Sequence, residues 1–485
     1  MKRTKIVCTL GPASSTRETI EKLIENGMNA IRFNFSHTKG SDILNTVNLV
    51  KDIRKEKNIP IAIILDTKGP EVRIYGYKEK IELPKESNIK IISYEKEDIS
   101  SIDSENKFTF YTNLPNIGKI VKIGTKILLK DGFVEGIVKN IIDDKSIEIT
   151  IKNNGNINPK AHLSIPNIDY NLEFLSSKDK EDIFFAIEND FEYIALSFVS
   201  CIDDVIKVRE LIKDYSKKFN KECKIKIISK IENKKAVENI DDIIKFSDGI
   251  MVARGDLGVE LDIELVPIIQ KRIIKLCYRA GKPVIVATQM LESMIDNPIP
   301  TRAEASDVAN ACYDLSSAVM LSGETAVGND PVKVVKTMSK IITQVENSLD
   351  YNELISELTR IPKNVDVTTS IATRSVAIAY DIDAKLISVI TGSGYSARMI
   401  SKVRPKLPIV AYTFHQQIYH QLSLNWGVIP RLIEKNDDFE KMVNNIKEDI
   451  AKLNYAEKDS YFLLVSGFPI GTEGTTNSIR VIKIE

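Results

Sequence analysis

"IKIISKIENKKAV" runs from Ile225 to Val237, an apolar strand that ends in a knot of charge. Side chains alternate along a strand, so Lys230 and Glu232 point the same way. Long charged side chains are rarely buried without partners. The end of this strand therefore calls for a cation and a carboxylate together. The pattern recurs along the chain. "TKIVCTLG", "AIRFNFSH", "IAIILDTKG", "YIALSFVS", "GIMVARGDLG", "PVIVATQML" and "AVMLSGETAVG" each carry a short apolar run into polar or glycine residues. Amphipathic helical segments lie between most of them, over 15–27, 178–190 and 266–281. Continuous apolar strands alternating with helices indicate a parallel sheet. Eight repeats predict a closed (β/α)8 TIM barrel, spanning 1–69 and 164–347.

One interval interrupts the rhythm. Residues 70–163 are rich in β-branched residues and turn signals, with Asp131-Gly132 as a hairpin turn in "TKILLKDGFVEGIVKNI". They read as a small β-barrel lid domain inserted in one βα loop. Removing these 94 residues from 4–347 leaves 250, against about 250 in a typical barrel. A helical stretch and the linker "IPKNVD" lead to a third unit, residues 360–485. There "AKLISVITGSG", "LPIVAYTF", "VIPRLI" and "YFLLVSGFP" read as strands of an open α/β domain.

Composition bounds the function. The chain has 485 residues and 67 basic against 67 acidic ones, a balance that argues against nucleic-acid binding. No stretch approaches the ~20 apolar residues that span a bilayer, and "MKRTKIVCTLGP" is not a signal peptide. Five scattered cysteines without a C-x-x-C pair suit a reducing, cytoplasmic compartment. Four histidines, none spaced i, i+4, speak against a zinc site.

In a barrel of this kind chemistry sits at the carboxyl ends of the strands. Those ends carry Arg32, Asn34, Ser36, His37, Asp66, Lys230, Glu232, Arg254, Asp256, Thr288 and Glu324. Glu232 and Asp256 end consecutive strands about 4.8 Å apart, so two carboxylates can share one cation. Two carboxylates among oxygen donors suit Mg2+ or Mn2+, completed by water and an anionic substrate. Lys230 beside that metal and Arg32 across the mouth make a cationic pocket fit for phosphoryl transfer. A structural ion network explains any one such pair, but not eight polar strand ends at once. "RFNFSH" aims Arg32, Asn34 and Ser36 inward, which is costly unless they bind something. With Asp66 and Thr67 on the next strand, their oxygens can hold a monovalent cation.

"ISVITGSGYSARMI" imitates a dinucleotide fingerprint, but no Asp or Glu follows between Val403 and Ile433, so a nicotinamide or flavin site is rejected. Thr391, Ser393, Gly394 and Ser396 before a helix still make a phosphate nest. No P-loop motif is present.

"RFNFSH", "LDTKGPEVR", "SKIEN", "ARGDLG", "ATQMLESM" and "SGETAVG" stand in order on these strand ends. Together they resemble pyruvate kinase over nearly the whole chain. The resemblance implies phosphoryl transfer from phosphoenolpyruvate to ADP, giving pyruvate and ATP at the last step of glycolysis. It implies Lys230, Arg32 and Thr288 as catalytic residues, with Thr288 and an ordered water as the proton donor. Gly255, Asp256 and Thr288 would meet phosphoenolpyruvate. Glu232 and Asp256 would hold Mg2+ or Mn2+. Asn34, Ser36, Asp66 and Thr67 would hold K+, with Glu71 marking potassium dependence. Asn34, His37 and Arg73 would touch the nucleotide. Thr391, Ser393, Gly394 and Ser396 would form an effector site for a sugar phosphate or nucleotide, and the assembly would be a homotetramer. Two departures stand out. Where the family carries paired lysines, this chain has Lys160, Ala161 and His162, with Lys160 a candidate replacement. Residues 468–476 offer no Lys or Arg for a second phosphate. Two other functions stand beside it: a metal-dependent lyase or aldolase acting on a pyruvate enolate at the same barrel mouth, and a non-catalytic sensor that binds sugar phosphate through "TGSGYS".

Overall fold

The computed structural model describes residues 2–484 except 37, 97, 98, 100, 105, 167, 169, 171, 359–364, 437, 454 and 469–473. Eight parallel strands close into a barrel: β1 (Lys5–Thr9), β2 (Ala30–Asn34), β3 (Ala62–Asp66), β4 (Tyr193–Leu196), β5 (Lys226–Ile231), β6 (Gly249–Ala253), β7 (Val284–Ala287) and β8 (Ala318–Leu321). They neighbour one another in chain order, and β8 pairs back onto β1. Alternation divides each strand between two cores. Ile6, Cys8, Ile31, Phe33, Ile63 and Leu65 meet the outer helices. Val7, Ala30, Ala62, Ile64, Ala195 and Met251 fill the interior. Small and large inward residues interleave, as a closed barrel of this size requires.

The helices begin where hydroxyl or carboxylate caps stand. Thr16 accepts from the Thr19 N–H, and Ser176 with Asp179 and Thr301 with Glu304 form reciprocal capping boxes. The segments expected over 15–27, 178–190 and 266–281 are helices Arg17–Glu25, Ser177–Glu188 and Val266–Ala280.

Between β3 and helix Ser177–Glu188 stands a separate β unit with its own core. It is a seven-stranded sheet, from Ile74–Tyr75 to Leu163–Ser164, with a two-stranded sheet beside it. Asp131 and Gly132 both adopt positive φ (55° and 86°), and the Phe133 N–H closes on the Lys130 carbonyl at 3.1 Å. That is the primed turn an Asp-Gly pair favours.

The C-terminal sheet has five strands: β9 (Ile387–Ile390), β10 (Ile409–Thr413), β11 (Val428–Leu432), β12 (Tyr461–Gly467) and β13 (Thr476–Lys483). Its order is β11-β10-β9-β12-β13, parallel except for β13. Apolar cores cover both faces. Between β10 and β11 the chain dips under the barrel. Leu424 joins the barrel's interior core. The Tyr193 hydroxyl donates to the Gln421 carbonyl (2.9 Å), and the Ala62 N–H to Ser423 Oγ (3.2 Å). Lys5 Nζ donates to the Val428 carbonyl at 2.7 Å. The C-terminal domain thus closes the barrel floor. Among the described residues, no helix is long and apolar enough to cross a membrane.

Candidate active site

β5 carries Lys230 to the barrel mouth, where its ammonium has three protons and finds three acceptors. Nζ lies 2.7 Å from Ser197 Oγ, 3.0 Å from Asp66 Oδ1 and 2.8 Å from Glu232 Oε1. The other Asp66 oxygen accepts from Arg32 Nε at 2.6 Å, and Arg32 Nη1 donates to Thr9 Oγ1 at 3.0 Å. Asp66 and Glu232 are each 1% exposed. Two cations and two carboxylates therefore share one nearly dry volume, the arrangement in which buried charges are tolerated.

The protonation states follow from this geometry. Burial alone would lower the Lys230 pKa, but Asp66 and Glu232 outweigh it and hold the ammonium above its ordinary range. Burial would likewise raise Asp66, and Arg32 and Lys230 overcome it, so this carboxyl stays below its usual value. Glu232 goes the other way. Burial lifts it to about 7, with Asp256 adding to the rise and Lys230 opposing it. The free oxygen of Glu232 accepts the Phe198 N–H at 2.5 Å, from a residue at φ 58°.

Asp256 does not end a strand. It stands in the first turn of helix Arg254–Glu260, directly after β6. Its carboxyl still comes within hydrogen-bonding reach of Glu232, and burial raises its pKa. Two adjoining carboxyls that both resist ionisation are a site short of positive charge. No group of three or more His, Cys, Asp or Glu side chains is gathered for a metal among the described residues. A divalent cation here would have two protein carboxylates and complete its shell from water and substrate, as Mg2+ commonly does.

Thr288 follows β7 at φ 66°, a conformation β-branched residues rarely adopt. Its Oγ1 accepts the Gly255 N–H at 2.8 Å, tying the two expected substrate-binding positions together. Arg254, expected at the mouth, is instead a brace. Its guanidinium donates to the carbonyls of Thr288 (2.6 Å) and Gln289 (3.0 Å) and to Asp307 Oδ1 (2.7 Å). Glu324 is a brace as well. It accepts the N–H groups of Leu291 (3.2 Å) and Ser322 (2.7 Å), holding the loop after β7.

Asn34 and Asp66 are register partners on β2 and β3. Asn34 Oδ1 accepts the Ser36 N–H at 3.2 Å, and Thr67 Oγ1 accepts the Ser197 N–H at 3.0 Å. The four oxygen-bearing residues assigned to K+ thus share one side of the mouth, with Asp66 already paired to both cations. Arg73 donates to Glu71 Oε2 (2.8 Å) and to the Lys160 carbonyl (2.8 Å). Lys160 itself is exposed at φ 61°. His37 lies outside the described residues. His162 packs its ring 6.5 Å from that of Phe198, and burial lowers its pKa.

Far from the mouth, Gly394 (φ 78°) donates its N–H to Thr391 Oγ1 at 3.0 Å, the Ser393 carbonyl accepts from Arg398, and Ser396 Oγ meets Thr476 Oγ1 at 2.5 Å. The nest predicted from "TGSGYS" is a strand-to-helix turn tied to β13.

Ser197, Thr9 and Phe198 escaped the sequence reading. Ser197 bridges Lys230 to β3 through a 2.6 Å contact with the Thr67 carbonyl. The signal was present: "YIALSFVS" ends an apolar strand in a hydroxyl, like its neighbours.

Comparison with known proteins agrees with this geometry. The family model "Pyruvate kinase, barrel domain" matches residues 1–335, and "Pyruvate kinase, alpha/beta domain" matches 369–482. A curated pyruvate kinase of Clostridium acetobutylicum is 39% identical over 487 residues, covering 100% of both chains. One of Sporosarcina psychrophila is 39% identical over 483 residues, covering 99% of this chain and 80% of that protein. The crystal structure of a pyruvate kinase from Cryptosporidium parvum superposes with a TM-score of 0.92 at 36% identity, covering 100% of this chain and 96% of that one.

Proposed function

The chain belongs to the pyruvate kinase family, and from that premise we propose how its residues divide the transfer of a phosphoryl group from phosphoenolpyruvate to ADP. The observation that carries the reading is the Arg32–Asp66–Lys230–Glu232 network at the barrel mouth. Lys230 and Arg32 are fixed cations in a water-poor site. Such groups stabilise charge spreading over a phosphoryl group in flight without reorganising at the moment of reaction. Gly255, Asp256 and Thr288 receive phosphoenolpyruvate, and Thr288 protonates the enolate through a water.

Mg2+ or Mn2+, held by Glu232 and Asp256, supplies Lewis-acid charge when bound. The adjoining carboxyls and their raised pKa values support that assignment. K+ is held by Asn34, Ser36, Asp66 and Thr67. Asn34, His37 and Arg73 meet the nucleotide, which has no P-loop to hold it. The β unit, residues 70–163, acts as a lid on the barrel of 1–69 and 164–347. Its closure excludes water so that the phosphoryl group reaches ADP. Residues 360–485 form the effector domain, with a sugar phosphate or nucleotide at Thr391, Ser393, Gly394 and Ser396. The working form is a cytoplasmic homotetramer.

The test follows pyruvate formation from phosphoenolpyruvate and ADP with Mg2+, first in potassium and then in a bulky monovalent salt. The expected result is ADP-dependent pyruvate, strongly enhanced by potassium. Indifference to potassium overturns the Asn34/Ser36/Asp66/Thr67 assignment alone. No ADP-dependent pyruvate from folded protein overturns the residue roles and reopens the lyase and sensor readings.

A further inference from the structure

Arg254 and Thr288 stand side by side because their predecessors, Ala253 and Ala287, are register partners at the ends of β6 and β7. The backbone after β7 takes a costly path. Thr288 (φ 66°) and Gln289 (φ 52°) are consecutive residues in the left-handed region. That region suits glycine, and a side chain branched at Cβ is strained there. Such conformations persist only where the surroundings over-determine them.

Arg254 meets that requirement. Its guanidinium takes an acceptor from each of four successive residues. Nε donates to the Ala287 carbonyl at 3.4 Å, and Nη2 to the carbonyls of Thr288 (2.6 Å) and Gln289 (3.0 Å) and to Met290 Sδ (2.9 Å). Nη1, the remaining nitrogen, is pinned by Asp307, whose two oxygens lie 2.7 and 2.6 Å away. The Arg254 side chain is 10% exposed, so water competes little for these bonds. A planar fork with five N–H donors suits this set of acceptors; a lysine ammonium, a single point on a flexible stem, does not. With the backbone so held, Thr288 Oγ1 is fixed between the Gly255 N–H (2.8 Å) and the Ala287 carbonyl (2.6 Å). We propose that Arg254 is a positioning residue for the reaction: it keeps Thr288 left-handed, and so keeps the Thr288 hydroxyl beside Gly255, without touching the substrate itself. This role rests on the assignment of Thr288 to the protonation step.

A double-mutant cycle in the full-length protein, read by steady-state pyruvate formation, tests it. Arg254→Lys keeps the charge and loses the fork. It should lower kcat by about 10–100-fold, the cost of a small misplacement at a reacting group, with the KM for ADP unchanged. Thr288→Gly removes the hydroxyl and adopts a positive φ freely. In that slow background Arg254→Lys should change kcat by less than about twofold, because the group it positions is gone. Asp307→Asn loosens the guanidinium from its far side. It should show the same pattern at a few-fold scale, and it decides the matter if Arg254→Lys does not fold. Undiminished kcat in Arg254→Lys, or equal losses in the threonine and glycine backgrounds, overturns the positioning role and leaves Thr288 in place. A general structural brace would give those equal losses. Undiminished kcat in Thr288→Gly alone is a different failure: it removes Thr288 from the chemistry, and the positioning role with it.

Discussion

The barrel buries a lysine at each end, and the two are treated in opposite ways. At the mouth, Lys230 meets two carboxylates and a hydroxyl, which hold it charged despite burial. At the floor, Lys5 donates to one carbonyl, Val428 O, and burial pushes its pKa down to about 7. The same strands thus end in a cluster of paired charges at the mouth and, at the floor, in a surface sealed by the C-terminal domain. A buried ammonium kept charged is poised to act on an anion. A buried ammonium allowed to neutralise serves as a packing element with a hydrogen bond.

The strongest way to break this contrast is Lys230→Met. It should lower kcat by about 10³-fold or more, since a preorganised charge at the reacting group is lost; steady-state pyruvate formation from folded protein reads this. A small effect would place the chemistry elsewhere. Next, Leu424→Ala at the floor should destabilise the chain by about 2–5 kcal/mol and leave kcat nearly unchanged, as urea unfolding beside the same assay would show. A large kcat loss there would mean that the two ends communicate.

His420 sharpens the contrast further. It is 2% exposed at the floor, and burial lowers its pKa to about 3. The unfolded chain takes up this proton below about pH 6.5 and the folded chain only near 3. Its contribution is therefore complete above 6.5 and drains as pH falls, by up to about 1.4 kcal/mol per pH unit. His420→Gln should flatten that part of the stability–pH curve in denaturant titrations between pH 4 and 7. The smallest effect belongs to Lys5→Met: kcat unchanged and stability altered by less than about 2 kcal/mol, because an apolar isostere replaces a poorly solvated cation.

The mouth was far more legible in the sequence than the floor, for a physical reason. Polar residues at the ends of apolar strands are anomalies, so Arg32, Asp66, Lys230 and Glu232 announce themselves. So did the Asp131-Gly132 turn, whose backbone demands few other residues. Asp256 was found by type but misplaced on a strand, because "GIMVARGDLG" gives no local sign that the helix starts at Arg254. Arg254 and Glu324 fitted the pattern and proved to be braces; whether a charge faces the mouth or a backbone loop depends on partners such as Asp307 and Leu291, distant in the chain. Thr288 at φ 66° runs against its β-branched propensity, so its strain could not be read locally. The floor was silent. Leu424, Gln421 and Ser423 look like ordinary helix residues until the C-terminal domain is folded beneath the strands.

That closure from below has a consequence in time. Leu424 is translated about a hundred residues after β8 ends at Leu321. At synthesis rates of about 5–20 residues per second, all eight strands have been made roughly 5–20 s before the plug exists. During that interval the nascent barrel offers Val7, Ala62 and Ile228 no Leu424 to pack against. The end of the molecule with no part in the chemistry is then its most vulnerable part while it is being made.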